Sequence, residues 1–187
     1  MQQKFAHIVS RLFEPFILLA TATIFGGVKS GLRGRDLLLF FLLVTVMVGV
    51  PVLLQVWAVQ TKRISDWDIS RRKERIIPFA VAFLLFIFDG ILVLQFNNIV
   101  LNQLFFLYLL WFFGFFLITL FWKISGHVGV AALATGLVAS WYGSFWIFAL
   151  GIVPIIGWAR MKTKNHTFAQ VLGAALYSWI VIAVMLH

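Results

Sequence analysis

The sequence contains no cysteine and few charged residues, and both absences restrict what the protein can be. Without cysteine there is no disulfide framework and no thiolate chemistry. Charged residues make up 11% of the 187 positions, whereas soluble domains carry about 25%. Acidic residues number 6 against 15 basic ones, so a carboxylate-rich metal site would find few ligands. This composition argues against an ordinary soluble globular domain.

Long apolar runs take the place of the missing charges. Asp, Glu, Lys and Arg are absent from residues 37–61, 90–122, 128–159 and 167–186. A helix needs about 20 such residues to cross the hydrocarbon core. Lipid offers no hydrogen bonds to a backbone, so a segment that crosses it must be a helix or part of a closed barrel. These runs do not alternate apolar and polar residues as barrel strands do. The sequence therefore predicts an all-α fold, a polytopic integral membrane helical bundle, as a single membrane-embedded domain over 1–187.

The apolar sequence divides into six to seven hydrophobic segments. We predict them at 15–28, 37–59, 79–94, 104–122, 128–140, 144–160 and 168–186. A single helix over 128–159 would be about 48 Å long at 1.5 Å per residue, well beyond a ~30 Å core. Gly143 supplies backbone freedom within the polar stretch 140–144, which predicts a turn there. We therefore expect a helical hairpin over 128–160.

The order of the segments predicts which polar breaks share a membrane face. With the hairpin, residues 60–78, 123–127 and 159–167 lie on one side together with the N-terminus, and that side holds twelve of the fifteen Lys and Arg residues. The positive-inside rule assigns such a side to the cytoplasm. Basic residues beside spans also face anionic headgroups. The net charge of +9 thus indicates the bilayer as a partner and no nucleic acid.

Two of the four histidines end the short basic breaks. His127 follows Ser125 and Gly126, and His166 follows Arg160 by six positions. Guanidinium groups and backbone N–H groups hold the oxygens of a phosphoryl group during transfer. One imidazole can attack phosphorus, and a second can protonate the leaving oxygen. These residue types in short breaks between spans point to phosphoryl chemistry at a membrane surface.

The basic segment 60–78 offers further phosphate ligands. If its second half is helical, Asp68, Arg72 and Arg75 fall on one helix face. We expect Arg72 and Arg75 to bind phosphate there. We also expect Asp89, inside the third span, to be functional or paired, because isolated charge in lipid is costly.

The residues of the two breaks resemble a known family. Ser125-Gly126-His127 and Arg160-x5-His166-x3-Gln170 look like the second and third signatures of the type 2 phosphatidic acid phosphatase family, which are membrane lipid phosphate phosphatases. The family's patterns are Pro-Ser-Gly-His and Ser-Arg-x5-His-x3-Asp, separated by two membrane helices. The resemblance covers a phosphatase-like core at about 37–187.

The resemblance implies a reaction and a role for each residue. It implies metal-independent hydrolysis of a lipid phosphate or isoprenyl diphosphate through a phosphohistidine, with no metal and no cofactor. It implies that His166 is the nucleophile, His127 the general acid and base, and that Arg160, Ser125 and Gly126 bind phosphate. Such enzymes often work on the outer face of the cell membrane, so the face that holds the site is left open.

The sequence also departs from the family pattern. Ile124 stands in place of the Pro, Ala159 in place of the Ser, and Gln170 in place of the Asp that orients the nucleophile. An amide on the turn after His166 can accept a ring N–H, but it does not balance an imidazolium with a full charge. The first family signature, Lys-x6-Arg-Pro, has no clean counterpart near Arg75.

Two alternatives stay open at this point. The first is a catalytically weak or inactive membrane protein that binds lipid phosphate, which Gln170 favours. The second is a metal-dependent intramembrane prenyl or alcohol phosphotransferase, for which Asp66-x-Asp68 is the available carboxylate pair. Activity in excess EDTA separates the metal-dependent class from the phosphohistidine class. The sequence does not predict an oligomeric state.

Overall fold

A computed structural model describes residues 2–69 and 71–186, and this part of the chain is all-helical. Helix makes up 85% of the structure, with no strand among the described residues. The α-helices are α1 (Gln2–Leu12), α2 (Pro15–Ser30), α3 (Gly34–Gln60), α4 (Ile76–Val93), α5 (Ile99–Phe121), α6 (Gly126–Tyr142), α7 (Ile152–Lys162) and α8 (Phe168–Leu186). Short 3-10 helices cover Arg72–Arg75, Leu94–Phe96 and Ser144–Gly151. The predicted all-α class is confirmed.

Six helical stretches in the described part of the chain are long and apolar enough to cross a membrane. They are Gln2–Ser30, Gly34–Gln60, Arg72–Phe96, Ile99–Phe121, Ser144–Lys162 and Phe168–Leu186. The predicted segment at 128–140 corresponds to α6, whose 17 residues span about 26 Å, a little less than a ~30 Å hydrocarbon core. The lengths and composition of these helices are compatible with an integral membrane protein.

The predicted hairpin over 128–160 is confirmed. Helix α6 ends at Tyr142, and Gly143 adopts a φ of +88°, a region that disfavours residues with a side chain. The chain then continues through the 3-10 helix into α7. The Tyr142 hydroxyl donates a hydrogen bond to the Phe25 carbonyl (2.8 Å), which ties the end of α6 to α2.

In the part of the chain that the structure describes, the second half of 60–78 is not the continuous helix that would place Asp68, Arg72 and Arg75 on one face. Lys62 and Ile69 have positive φ values of 57° and 45°, which interrupt any regular right-handed helix. Regular structure resumes with the 3-10 turn at Arg72–Arg75. Asp68 therefore does not share a helix face with Arg72 and Arg75. Helix α1 was not predicted at all.

The chain divides into two compact units. Residues 2–25 and 123–186 form the first, and the described residues of 26–122 form the second. In the first unit α6 is the central helix, since every residue from His127 to Val138 is buried. Helix α8 packs on α6, where the Ser178 hydroxyl donates to the Gly129 carbonyl (2.8 Å). Helix α1 packs on α7 through Ala6, Val9 and Ala159.

The second unit is built on the packing of α4 against α5. Aromatic rings line this contact in edge-on and tilted pairs, among them Phe86 with Tyr108 and Phe79 with Phe112. Such pairs add to the free energy gained from apolar burial. The Asn98 side chain caps α5 by accepting from the N–H groups of Val100 and Leu101. This cap fixes the start of α5 at Ile99.

Candidate functional site

The end of α7 joins Arg160 to His166. Lys164 adopts the left-handed conformation with a φ of +59°, and its N–H donates to the Met161 carbonyl (2.9 Å). The N–H groups of Asn165 and His166 donate to the Arg160 carbonyl at 3.1 and 3.3 Å. This is a Schellman motif, the common way in which a helix satisfies its last carbonyl groups. It fixes the separation of Arg160 and His166 that the sequence pattern singled out.

The start of α8 joins His166 to Gln170. The Thr167 hydroxyl accepts from the Gln170 N–H (3.4 Å), and Gln170 Oε1 accepts from the Thr167 N–H (3.1 Å). This reciprocal pair is a capping box. Gln170 Oε1 also lies 3.2 Å from His166 Nδ1, which confirms that Gln170 reaches back to the histidine. Because an amide oxygen only accepts, this contact favours a proton on Nδ1 and a lone pair on Nε2.

A lysine connects the two polar breaks of the first unit. Lys123 Nζ donates to the Asn165 carbonyl at 2.9 Å, directly before His166. The residues that follow Lys123 turn inward at once, since Ile124 and Ser125 are fully buried. The segment that leads to His127 is therefore anchored to the turn that carries Arg160 and His166.

The start of α6 presents backbone N–H groups next to open space. Ser125 is the N-cap residue, but its side chain makes no cap hydrogen bond. Its hydroxyl is buried and has no hydrogen-bond partner among the described residues. Apart from Gly126 itself, its chain neighbours and the backbone of its own helix, no described atom lies within 4 Å of the position that a Cβ at Gly126 would occupy. The first N–H groups of a helix lack intrahelical partners and carry partial positive charge, which favours an anion.

Glu14 is a site residue that the sequence analysis missed. Its Oε2 lies 3.6 Å from His127 Nε2, and its Oε1 accepts a hydrogen bond from Arg11 Nη1 (2.7 Å). The available signal was a single acidic residue, directly before Pro15, at the edge of an apolar segment. Nothing in the spacing of Glu14 relates it to His127, because they are far apart in the chain.

Arg160 is the largest fully buried side chain in the described residues, with 1% of its surface exposed. A guanidinium keeps its charge at any physiological pH. Its burial is costly unless hydrogen bonds or an anion compensate it. A phosphate is an anion that a guanidinium binds well, through two parallel hydrogen bonds.

Arg72 and Arg75 lie in the second unit, where both donate to backbone carbonyl groups. Arg72 Nη1 donates to the Leu120 carbonyl (2.6 Å), and Arg75 Nε donates to the Ile69 carbonyl (2.8 Å). Arg75 is buried and Arg72 is exposed. These contacts give both arginines a structural role in the segment between α3 and α4. Their predicted binding of phosphate stays a prediction.

The contacts thus unite most of the predicted site residues within the first unit. Arg160, His166 and Gln170 form one connected group, and Lys123 links the start of α6 to it. No family model matches this chain, and no curated protein or solved structure is significantly similar to it. The functional argument therefore rests on the chemistry and geometry of these residues.

Proposed function

We propose that the chain is a polytopic integral protein of the cell membrane that hydrolyses a lipid phosphate or isoprenyl diphosphate without a metal. The six apolar helical stretches support the membrane assignment. The resemblance of the 125–127 and 160–170 motifs to type 2 phosphatidic acid phosphatases supports the reaction. The single observation that carries most weight is the Schellman turn between Arg160 and His166, continued by the contact of His166 with Gln170.

The proposed reaction has two steps. His166 Nε2 attacks phosphorus, so that a P–N bond forms and the P–O bond to the lipid breaks. His127 gives a proton to the departing lipid oxygen. A water molecule then attacks the phosphohistidine, His127 takes a proton from it, and inorganic phosphate leaves with His166 restored.

Arg160, Ser125 and Gly126 have the chemistry to hold the phosphoryl oxygens in both steps. Arg160 supplies a fixed positive charge, and the first turn of α6 supplies backbone N–H groups. Charge accumulates on these oxygens in the transition state, and preorganised donors stabilise it without further rearrangement. The buried Ser125 hydroxyl is a third donor for the same oxygens.

A phosphate-release screen tests the proposal. The purified protein is mixed with phosphatidic acid, phosphatidylglycerol phosphate or an isoprenyl diphosphate in detergent, with and without excess EDTA. We expect release from at least one substrate, unchanged by EDTA and abolished by His166→Ala. His7→Ala is the matched control, because His7 is an exposed histidine on α1. Complete loss in EDTA would indicate the metal-dependent phosphotransferase class instead.

A second function is favoured by one observation. Gln170 completes the capping box of α8, so it has a structural role that does not depend on catalysis. A lipid-phosphate-binding membrane protein without turnover would retain Gln170 for this reason alone. Saturable binding to vesicles that contain phosphatidic acid, with no release of phosphate from any substrate, would establish this second function.

A further inference from the structure

The two histidines of the proposed site have partners of different charge. His166 contacts the neutral amide of Gln170, whereas His127 lies beside the carboxylate of Glu14. We propose that Glu14 is a positioning residue that holds His127 as the imidazolium that protonates the leaving oxygen. This inference rests on the proposed function. It gives a role to Glu14, a residue that lies outside both the 125–127 and the 160–170 motifs.

The separation and burial of the pair support an electrostatic role. The 3.6 Å between His127 Nε2 and Glu14 Oε2 is within ion-pair range but longer than a hydrogen bond. The side chains of His127 and Glu14 are 9% and 14% exposed, so water screens the carboxylate poorly. A carboxylate at this distance stabilises the protonated ring, which is the form that has a proton to give. Catalytic contacts are often longer before the substrate binds.

Local structure fixes Glu14 at this place. The Glu14 carbonyl accepts from the Leu18 N–H (3.1 Å), so Glu14 is the residue before the first turn of α2, and Pro15 begins that helix. The adjacent Phe13 packs against the cluster of Ala6, Val9 and Ala159. The junction of α1 and α2 is therefore held by packing against α7, next to Arg160.

Arg11 holds the other oxygen of the carboxylate. Its Nη1 lies 2.7 Å from Glu14 Oε1, and Glu14 Oε2 is the oxygen near His127. Glu14, His127 and the leaving group then form a relay like that of catalytic triads, where a carboxylate orients an imidazole and balances its charge.

The leaving group provides a test that a purely structural role of Glu14 would not pass. Two phosphate monoesters that carry the same long alkyl chain are compared. In the first the phosphate is esterified to the alkyl alcohol, and in the second it is esterified to a nitrophenol that carries the chain. An alkoxide needs a proton to depart, whereas a nitrophenolate does not. We expect Glu14→Gln to lower kcat/KM about 10- to 100-fold for the alkyl ester, but less than about 3-fold for the nitrophenyl ester. His127→Ala should show the same selectivity, with a larger loss.

The ratio of the two kcat/KM values is independent of the folded fraction, because both esters are measured on one preparation. Glu14→Asp keeps the charge and should restore part of the ratio. Asp36→Asn is the matched control, since Asp36 is an exposed carboxylate in the first turn of α3, and it should leave the ratio unchanged. Equal losses on both esters, or no loss, would overturn the inference while the proposed function stands. If the wild-type protein hydrolyses neither ester nor any lipid phosphate, both proposals fail.

Discussion

Variants of Gln170 test the proposed site most directly, because its side-chain oxygen contacts two partners. The loss of each contact can be measured separately. Oε1 accepts from the Thr167 N–H at 3.1 Å and lies 3.2 Å from His166 Nδ1. The first contact stabilises the start of α8. The second orients the proposed nucleophile. Gln170→Ala removes both, whereas Thr167→Ala removes only the hydroxyl half of the capping box.

The expected magnitudes follow from these contacts. Loss of a capping interaction costs about 1 kcal/mol of stability, so Gln170→Ala and Thr167→Ala should be destabilised by similar amounts. Loss of a partner that orients a reactive group costs about 10-fold or more in rate. We expect this loss in Gln170→Ala but not in Thr167→Ala. Gln170→Asp should keep or raise activity, because a carboxylate balances the imidazolium that Gln170 does not.

A further variant, Gln170→Glu, tests the effect of a carboxylate at this position. Glutamate has the length of glutamine and is the commonest partner in a capping box, so stability should be preserved while the carboxylate faces His166. Thermal unfolding in detergent and kcat for the best lipid phosphate are measured on all four variants. If Thr167→Ala and Gln170→Ala lose activity equally, Gln170 acts only as a helix cap. If Gln170→Ala keeps full turnover, the assigned role at His166 is wrong.

Three further predictions concern stability and are checked by thermal unfolding in detergent. Lys164→Gly should raise stability, and Lys164→Val should lower it by about 1 kcal/mol, because the φ of +59° disfavours branched side chains. A methyl group on Gly157 would lie 2.7 Å from Val171 Cγ1, so Gly157→Ala should cost about 1–3 kcal/mol; no recovery on adding Val171→Ala would contradict this. Asp89 is fully buried, and its oxygens have no hydrogen-bond partner among the described residues, so Asp89→Leu should raise stability by about 1–3 kcal/mol; a lower melting temperature would show that the carboxylate is compensated.

Much of the helical architecture was predictable from the sequence. The charge-free runs predicted helices because a backbone in lipid must satisfy its own hydrogen bonds. The split of 128–159 followed from its excess length and from Gly143, which the structure places at the turn. The contact of Gln170 with His166 was also predictable, since residues four positions apart lie one helical turn from each other.

Local departures from regular helix geometry were harder to predict from the sequence. Lys62, Ile69 and Lys164 adopt positive φ values, although none is a residue that favours this conformation. At Lys164 the helix end requires a left-handed residue to satisfy its last carbonyl groups. The interruption at Ile69 changed the expected geometry around Asp68. Propensity at one position does not reveal a conformation that its neighbours impose.

The sequence by itself determined most of the helical segments and the positions of the short motifs on which the proposed chemistry rests, because both depend on composition and near-neighbour spacing. The tertiary structure alone decided that a carboxylate lies beside His127. Glu14 reaches His127 because α1 and the start of α2 belong to the same compact unit as α6. Lys123, before α6, likewise reaches Asn165, after α7. Contacts between residues far apart in the chain depend on how helices pack, and no local pattern of residues encodes that packing.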